Sequence, residues 1–333
     1  MRVPPVRVPP VRVVVTGAAG FIGQELVRVL ARQAEVTGID RLPRQAPMHV
    51  TTITADLLDD HPAARSALGR ADVVYHLAGC PDVRDARPDA DMHRLRDNGL
   101  AMARVLAAVR PEARLVVTSS SSVYGGTSGG RACRESDPLD PRGGYAASKQ
   151  LVEQLCDAYA LAGGRVCVVR PFTVAGPGQR PGMALARWLA AAQQGAPLRV
   201  FGSLERSRDV TDVRDVVTAL VDLAAVDVRG VVNVGTGTGR TLGELVAAVS
   251  RAVGVEVATD VVAAADVEVS HTLADTARLR ELVGWVPHTD IDDLLARQLA
   301  AGSSAAWSSA DTRPSAARKS AVSGRSSELL AGR

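Results

Sequence analysis

Short valine-rich apolar runs alternate with amphipathic stretches along most of this chain. VRVVVTG (11–17), EVTGID (35–40), ADVVYHLA (71–78), RLVVTSS (114–120) and RVCVVRP (165–171) are near-continuous apolar or β-branched runs, which predicts strands covered on both faces. Between them GQELVRVLARQ (23–33), NGLAMARVLAAVR (98–110) and GYAASKQLVEQLCDAYALAG (144–163) carry apolar residues at helical spacing. Strand–helix alternation of this kind predicts an α/β fold with a doubly wound parallel sheet of the Rossmann type over residues 11–175. After residue 175 glycine and proline become denser and the alternation less regular. That predicts a smaller C-terminal substrate-binding lobe, 176–300, with segments that pack back on the first domain. Residues 1–10 repeat V-R-V-P-P, which cannot pair inside a sheet, and 301–333 are rich in Ser, Ala, Gly and Arg; both are expected to be disordered.

The first predicted strand runs into Gly17-Ala18-Ala19-Gly20-Phe21-Ile22-Gly23 and then into a helix. Glycines at this spacing let the backbone turn tightly, approach a pyrophosphate and pack helix on strand, with the helix N-terminus facing the anion. Asp40 ends the second strand, 23 residues after Gly17, where a carboxylate accepts the hydroxyls of an adenosine ribose and repels a 2′-phosphate. This favours NAD as cofactor, although the adjacent Arg41 offers a phosphate a partner. Asp56 and Leu57, after VTTITAD, read either as an adenine contact or as a plain strand end.

Composition narrows the chemistry. Of 39 basic residues only Lys149 and Lys319 are lysines, so arginine stands almost everywhere a cation is wanted. The one lysine in the folded body lies four residues after Tyr145, in Y-A-A-S-K, and so shares its helix face. A lysine there lowers a phenol's pKa, and a phenolate is what takes the proton from a hydroxyl as hydride leaves. Ser119–Ser122 close a central strand at the end that lines the ligand crevice in such sheets, and Ser120 is placed to hydrogen-bond the reacting hydroxyl.

Charge and composition exclude other classes. The net charge of +3 sits in the ends: residues 1–12 and 301–333 each carry +3, leaving 13–300 at −3. A mildly acidic body with three Phe, three Trp and four Tyr argues against nucleic acid as a partner. No apolar run is long enough for a membrane span, and the first residues lack the apolar segment of a secretory signal. Cys80, Cys133, Cys156 and Cys167 show no metal-ligand spacing, so no metal site is expected and reduced thiols in a cytoplasmic setting are.

Taken together, TGAAGFIG, HLAG (76–79), Asn98 in DNGLAMARVL, SSSSVYG, YAASK, RPFTVAGP, RDVTDVRDVV (208–217), VVNVGTG (231–237) and TLADTARLRELVGW (272–285) resemble the extended short-chain dehydrogenase/reductase family, specifically its nucleotide-sugar epimerases. The resemblance implies an NAD-dependent 4-epimerase in which Tyr145, Lys149 and Ser120 are catalytic. It places Leu77, Ala78, Gly79, Asn98 and Pro171 around the cofactor, and it implies a homodimer built on the helices 98–110 and 144–163. The residues 119–122 are all serine, without the extra acid that the family's dehydratases and decarboxylases carry there. The stretch Arg170–Met183 resembles UDP-glucuronate 4-epimerases in particular, which implies that Ser121, Ser122, Thr173, Arg180 and Met183 surround a sugar carboxylate. A UDP-hexuronate is the implied substrate; UDP-glucose, a UDP-N-acetyl sugar, or a non-catalytic NAD sensor are the alternatives. Phe201 is expected near the uracil, with Arg208 and Arg280 on the diphosphate. Departures from the family pattern are Ala175 for a common Tyr, Gly182 for the usual Asp and Gly79 for an Ala.

Overall fold

A computed structural model describes residues 11–43, 46–80, 89–127, 130–265 and 268–302; the expected leader 1–10 and residues 303–333 of the expected tail lie outside the described residues. The chain begins with β1 (Arg12–Thr16), α1 (Phe21–Leu30), β2 (Glu35–Asp40), β3 (Thr51–Thr54), α2 (Pro62–Arg70) and β4 (Val73–His76). A helical stretch follows as α3 (Ala90–Arg94), a π-helical turn (Leu95–Leu100) and α4 (Ala101–Ala108). Next come β5 (Arg114–Thr118), a 3₁₀ turn (Ser121–Tyr124), α5 (Gly143–Leu161), β6 (Arg165–Pro171) and the short β7 (Val174–Ala175).

The rest of the chain forms α6 (Ala184–Gln193), β8 (Leu198–Phe201), β9 (Ser207–Asp209), β10 (Thr211–Asp212), α7 (Val213–Ala225) and β11 (Gly230–Val234). It closes with β12 (Gly239–Thr241), α8 (Leu242–Val253), β13 (Thr259–Val262), α9 (Ala277–Val283) and α10 (Ile291–Gly302).

Seven strands form one parallel sheet in the order β11-β6-β5-β4-β1-β2-β3. The continuous apolar runs are explained by its two covers. Successive side chains of a strand point to opposite faces. Val13 and Val15 of β1, Val116 of β5 and Cys167 and Val169 of β6 enter one core with Leu26 of α1 and Leu220 of α7. Val14, Leu115, Val117, Val166 and Val168 enter the other with Leu68 of α2, Met102 of α4 and Val152 and Cys156 of α5. A strand in this position needs apolar residues at every step, which is the pattern the sequence shows. α2 has no counterpart in the sequence reading, because PAARSALGR buries only Ala64 and Leu68.

α7, β11 and Leu279 of α9 join the first core although they follow residue 176. A third core is built mainly from the second half, with Ala175 of β7 joining Leu185 and Trp188 of α6, Leu198 and Val200 of β8, Leu245 of α8 and Leu294 of α10. Among the described residues no helix is long and apolar enough to cross a membrane.

Candidate active site

The glycine loop meets the end of β4. Gly17 has φ +73°, and a Cβ there would lie 2.6 Å from the Ala78 nitrogen; one on Gly23 would lie 2.1 Å from the Gly17 carbonyl oxygen. Only glycine permits both the left-handed backbone and this approach. Gly20 caps α1 without a side chain over the first turn, and Phe21 and Ile22 begin the helix half-buried. Asp40 Oδ2 accepts the Ala19 N–H at 2.9 Å and Oδ1 accepts that of Leu42 at 3.0 Å, so this carboxylate is tied to the glycine loop. Arg41 reaches away and pairs with Asp97 at 3.2 Å. Asp56 Oδ1 closes a local turn on the Leu58 N–H at 2.9 Å, and Leu57 packs against the second core.

Asn98 is 1% exposed and sits on the π-helical turn, whose extra residue re-aims a side chain. Its Oδ1 accepts the Cys80 N–H at 2.6 Å and its Nδ2 donates to Ser148 Oγ at 2.7 Å, joining the loop after β4 to α5. A Cβ on Gly79 would fall 2.5 Å from Asn98 Oδ1, which accounts for glycine where the family commonly has alanine. Behind this loop the buried His76 shares a 2.8 Å hydrogen bond with Thr16 Oγ1. Burial, with the Lys149 cation adding to it, lowers the His76 pKa to about 3, so the ring is neutral. The sequence reading noted His76 only as part of HLAG.

Tyr145, Lys149 and Ser120 come together at the ends of β5 and β6. Lys149 is 7% exposed, and its Nζ donates to the Thr118 carbonyl at 2.9 Å. Burial lowers its pKa to about 8. Tyr145 is half-buried on the first turn of α5. Burial pushes its phenol up, while a hydrogen bond with the Ser120 side chain and the Arg180 cation pull it down. Two groups from outside its helix therefore favour the phenolate. Ser120 Oγ also accepts the Ser122 N–H at 3.1 Å, which caps the 3₁₀ turn and fixes the hydroxyl.

The second half of the chain supplies the facing wall. Gly178 packs near Phe21, so the 176–183 loop crosses the glycine loop. Arg180 on this loop is half-buried, its Nη2 4.0 Å from Met183 Sδ. Thr173 follows Pro171 at the end of β6, and its carbonyl accepts the Thr211 N–H at 3.0 Å. Ser121 and Ser122 are half-buried beside Ser120. Phe201 ends β8 with the Arg199 guanidinium 5.7 Å above its ring. Arg208 on β9 donates to the carbonyls of Ser207, Val269 and Ser270 and pairs with Glu268 at 3.7 Å. Arg280 is exposed on α9, whose Arg278 reaches the Arg229 carbonyl beside the start of β11.

The residues present suit a dinucleotide. Glycines at 17, 20 and 23 let the loop turn tightly before α1 as a pyrophosphate-binding turn requires, and Asp40 at the end of β2 stands where a ribose needs an acceptor. Thr118 Oγ1 and Ser122 Oγ are buried without a hydrogen-bond partner, two hydroxyls beside Lys149 and Ser120 that a bound ligand would satisfy.

A doubly wound sheet with a glycine loop, a ribose-side acid and a Tyr–Lys–Ser cluster at its C-terminal edge defines a dinucleotide-dependent enzyme of the short-chain dehydrogenase/reductase class. The chain belongs to the NAD dependent epimerase/dehydratase family, which it matches over residues 13–235. It is 32% identical to the UDP-glucose 4-epimerase of Mycolicibacterium smegmatis over 305 residues, covering 86% of this chain and 96% of that one. MoeE5 in complex with UDP-glucuronic acid and NAD superposes with a TM-score of 0.80 at 35% identity, over 88% of this chain and 99% of that one; the same protein is also known in complex with UDP-glucose and NAD. The UDP-glucuronic acid 4-epimerase of Bacillus cereus, in complex with UDP-glucuronic acid and NAD, gives a TM-score of 0.81 at 26% identity, over 88% of this chain and 99% of that one.

Proposed function

We propose that this protein is an NAD-dependent UDP-hexuronate 4-epimerase that interconverts UDP-glucuronate and UDP-galacturonate. The observation that carries the reading is Arg180: it is half-buried on the 176–183 loop beside Met183, near enough for its cation to act on the Tyr145 phenol. An arginine there suits a sugar carboxylate, which its planar fork can grip with two parallel hydrogen bonds.

NAD, held by the Gly17–Gly23 loop and Asp40, would supply a hydride acceptor for the sugar's fourth carbon and the source of its return. Tyr145 takes the proton of the sugar's 4-hydroxyl, and Ser120 bridges that hydroxyl to the phenol. Lys149, kept cationic at neutral pH, favours the phenolate and holds the nicotinamide ribose. The 4-keto sugar turns about its diphosphate link, held by Arg208 with Phe201 beside the uracil, and Tyr145 returns the proton on the other face. The oxidised uronate is a β-keto acid prone to lose carbon dioxide; Arg180, Thr173 and the serines hold its carboxylate against that loss. Purified protein incubated with UDP-glucuronate should yield UDP-galacturonate without added cofactor, read by chromatography of the nucleotide sugars. Far faster turnover of UDP-glucose would overturn the uronate assignment.

That second substrate has its own support, since the Mycolicibacterium smegmatis relative is a UDP-glucose 4-epimerase. We also propose a homodimer through α4 and α5, supported by the exposed Met92, Leu95 and Leu100 on the adjoining turns. Light scattering after size exclusion tests it.

A further inference from the structure

A buried polar network lies behind the Ser120 loop, and none of the roles above uses it. Glu153 on α5 is 4% exposed and Arg170 on β6 is 3% exposed. Arg170 Nε donates to Glu153 Oε1 at 2.9 Å and its Nη2 to Oε2 at 2.6 Å, a bidentate pair. Ser119 Oγ donates to the same Oε1 at 2.5 Å. Arg170 Nη1 donates to the Tyr124 hydroxyl at 2.7 Å, which in turn donates to Asn233 Oδ1 at 2.8 Å. The end of β5, the 3₁₀ turn, β6, β11 and α5 therefore meet on one carboxylate–guanidinium pair.

Burial works against the Arg170 charge, but the hydrogen bonds and charge of Glu153 outweigh it and hold its pKa above the usual value. As a source of stability such a pair is weak, because apolar side chains of similar volume commonly serve as well. Its placement suggests another use. Tyr145, Lys149 and Glu153 stand at i, i+4 and i+8 on one face of α5. Ser119 is the residue before Ser120, so whatever holds Ser119 sets where the Ser120 hydroxyl points.

We infer that Glu153 and Arg170 are positioning residues for the reaction: they lock Ser119 so that Ser120 meets Tyr145, and they balance the charge behind Lys149. The inference rests on the proposed catalytic roles of Tyr145, Ser120 and Lys149. The ionisable groups that face this region are Lys149, Cys156 and Asp157 on α5, His76 on β4, Cys80 after it, Tyr124 on the 3₁₀ turn, Glu135 after it, and Arg180 from the facing loop. The Glu153 carboxylate helps to keep Lys149 protonated against its burial.

The test compares two charge-removing variants of nearly unchanged shape. Glu153→Gln leaves the Arg170 cation unbalanced, which favours the Tyr145 phenolate and moves the acid limb of the kcat/KM profile to lower pH. Arg170→Gln leaves the carboxylate unbalanced and moves the limb to higher pH. Both should lower kcat about tenfold with KM within about threefold, since the loss is of alignment rather than binding. A merely structural pair would shift the two limbs together or not at all, and that outcome overturns the inference. If either single variant fails to fold, the double variant Glu153→Met/Arg170→Met decides. A kcat about tenfold down at an unmoved limb supports positioning, and wild-type kcat overturns it. Wild-type protein that turns over none of UDP-glucuronate, UDP-glucose and UDP-N-acetylglucosamine overturns the epimerase reading and this inference with it. Active wild-type protein with parallel shifts overturns the inference alone.

Discussion

The two walls of the cleft are built by different means. The sheet wall is buried and tightly bonded: Thr118, Ser119, Asn98 and Lys149 are each 8% exposed or less, and each has a defined backbone or side-chain partner. The facing wall, from the second half, uses half-buried side chains on loops and short strands: Thr173, Arg180, Met183, Phe201 and Arg208. The buried wall sets protonation states by excluding water, as the lowered pKa values of His76 and Lys149 show. The other wall presents two long cations, Arg180 beside Met183 and Arg208 tied to three carbonyls and Glu268. The division suits an enzyme that keeps one proton-transfer chemistry fixed and varies the sugar it grips.

The largest expected effect tests the sheet wall. Tyr145→Phe removes the proposed acid–base group while keeping the ring's packing. Epimerisation should fall by about a thousandfold, in the range for loss of a general base, while NAD still binds. Quenching of protein fluorescence on cofactor binding and nucleotide-sugar chromatography read the two separately. A loss below about tenfold would mean that another group moves the proton.

This wall was the one legible in the sequence. Its residues sit at strand ends and at local spacings, Gly17 to Gly23 and Tyr145 to Lys149, that survive without any knowledge of distant contacts. The alternation of Val13, Val14 and Val15 between two cores likewise leaves a mark that a reader of the sequence can see. The second wall depends on which loops meet, and the sequence does not carry that. Arg208 and, as a second candidate beside Arg278, Arg280 are both expected on the diphosphate from the sequence, yet nothing local says that Arg208 is half-buried on β9 and Arg280 exposed on α9. Arg170 was legible only as part of RPFTVAGP, because nothing local says that it pairs with Glu153, 17 residues back. Nor does any local spacing say that the Arg180 cation, from the opposite wall, also acts on the Tyr145 phenol.

A second prediction concerns the neutral histidine of the buried wall. His76 is uncharged in the fold down to about pH 3, whereas in the unfolded chain it protonates below the ordinary histidine value of 6.5. The unfolded state therefore binds the extra proton as pH falls through that window, and stability is lost with it. His76→Asn keeps a partner for Thr16 Oγ1 but removes the titration. At neutral pH the variant should melt below wild type, because a ring has been taken from a packed site. The gap should close by about 2 to 3 kcal/mol between pH 6.5 and 4.5, each pKa unit being worth about 1.4 kcal/mol. Denaturant unfolding at the two pH values measures it. A gap that stays constant would mean that His76 is not held neutral by the fold.

The smallest of the three effects is the one that tells most about the facing wall. Arg180→Ala removes both a grip on the substrate and a cation beside Tyr145, and the two losses have different signatures. Loss of the cation raises the Tyr145 pKa for every substrate, so the acid limb of kcat/KM moves to higher pH with UDP-glucuronate and UDP-glucose alike. Loss of the grip touches only the sugar with a carboxylate. Above the limb, where the first effect vanishes, kcat/KM for UDP-glucuronate should still be about thirtyfold down, the scale of one charged hydrogen-bonded pair, and UDP-glucose within about threefold of wild type. Equal losses on both sugars at high pH would assign Arg180 to the diphosphate or to the shape of the 176–183 loop. The selectivity of the cleft would then have to come from the sheet wall, through Ser121 and Ser122, and the division of labour between the two walls would fail.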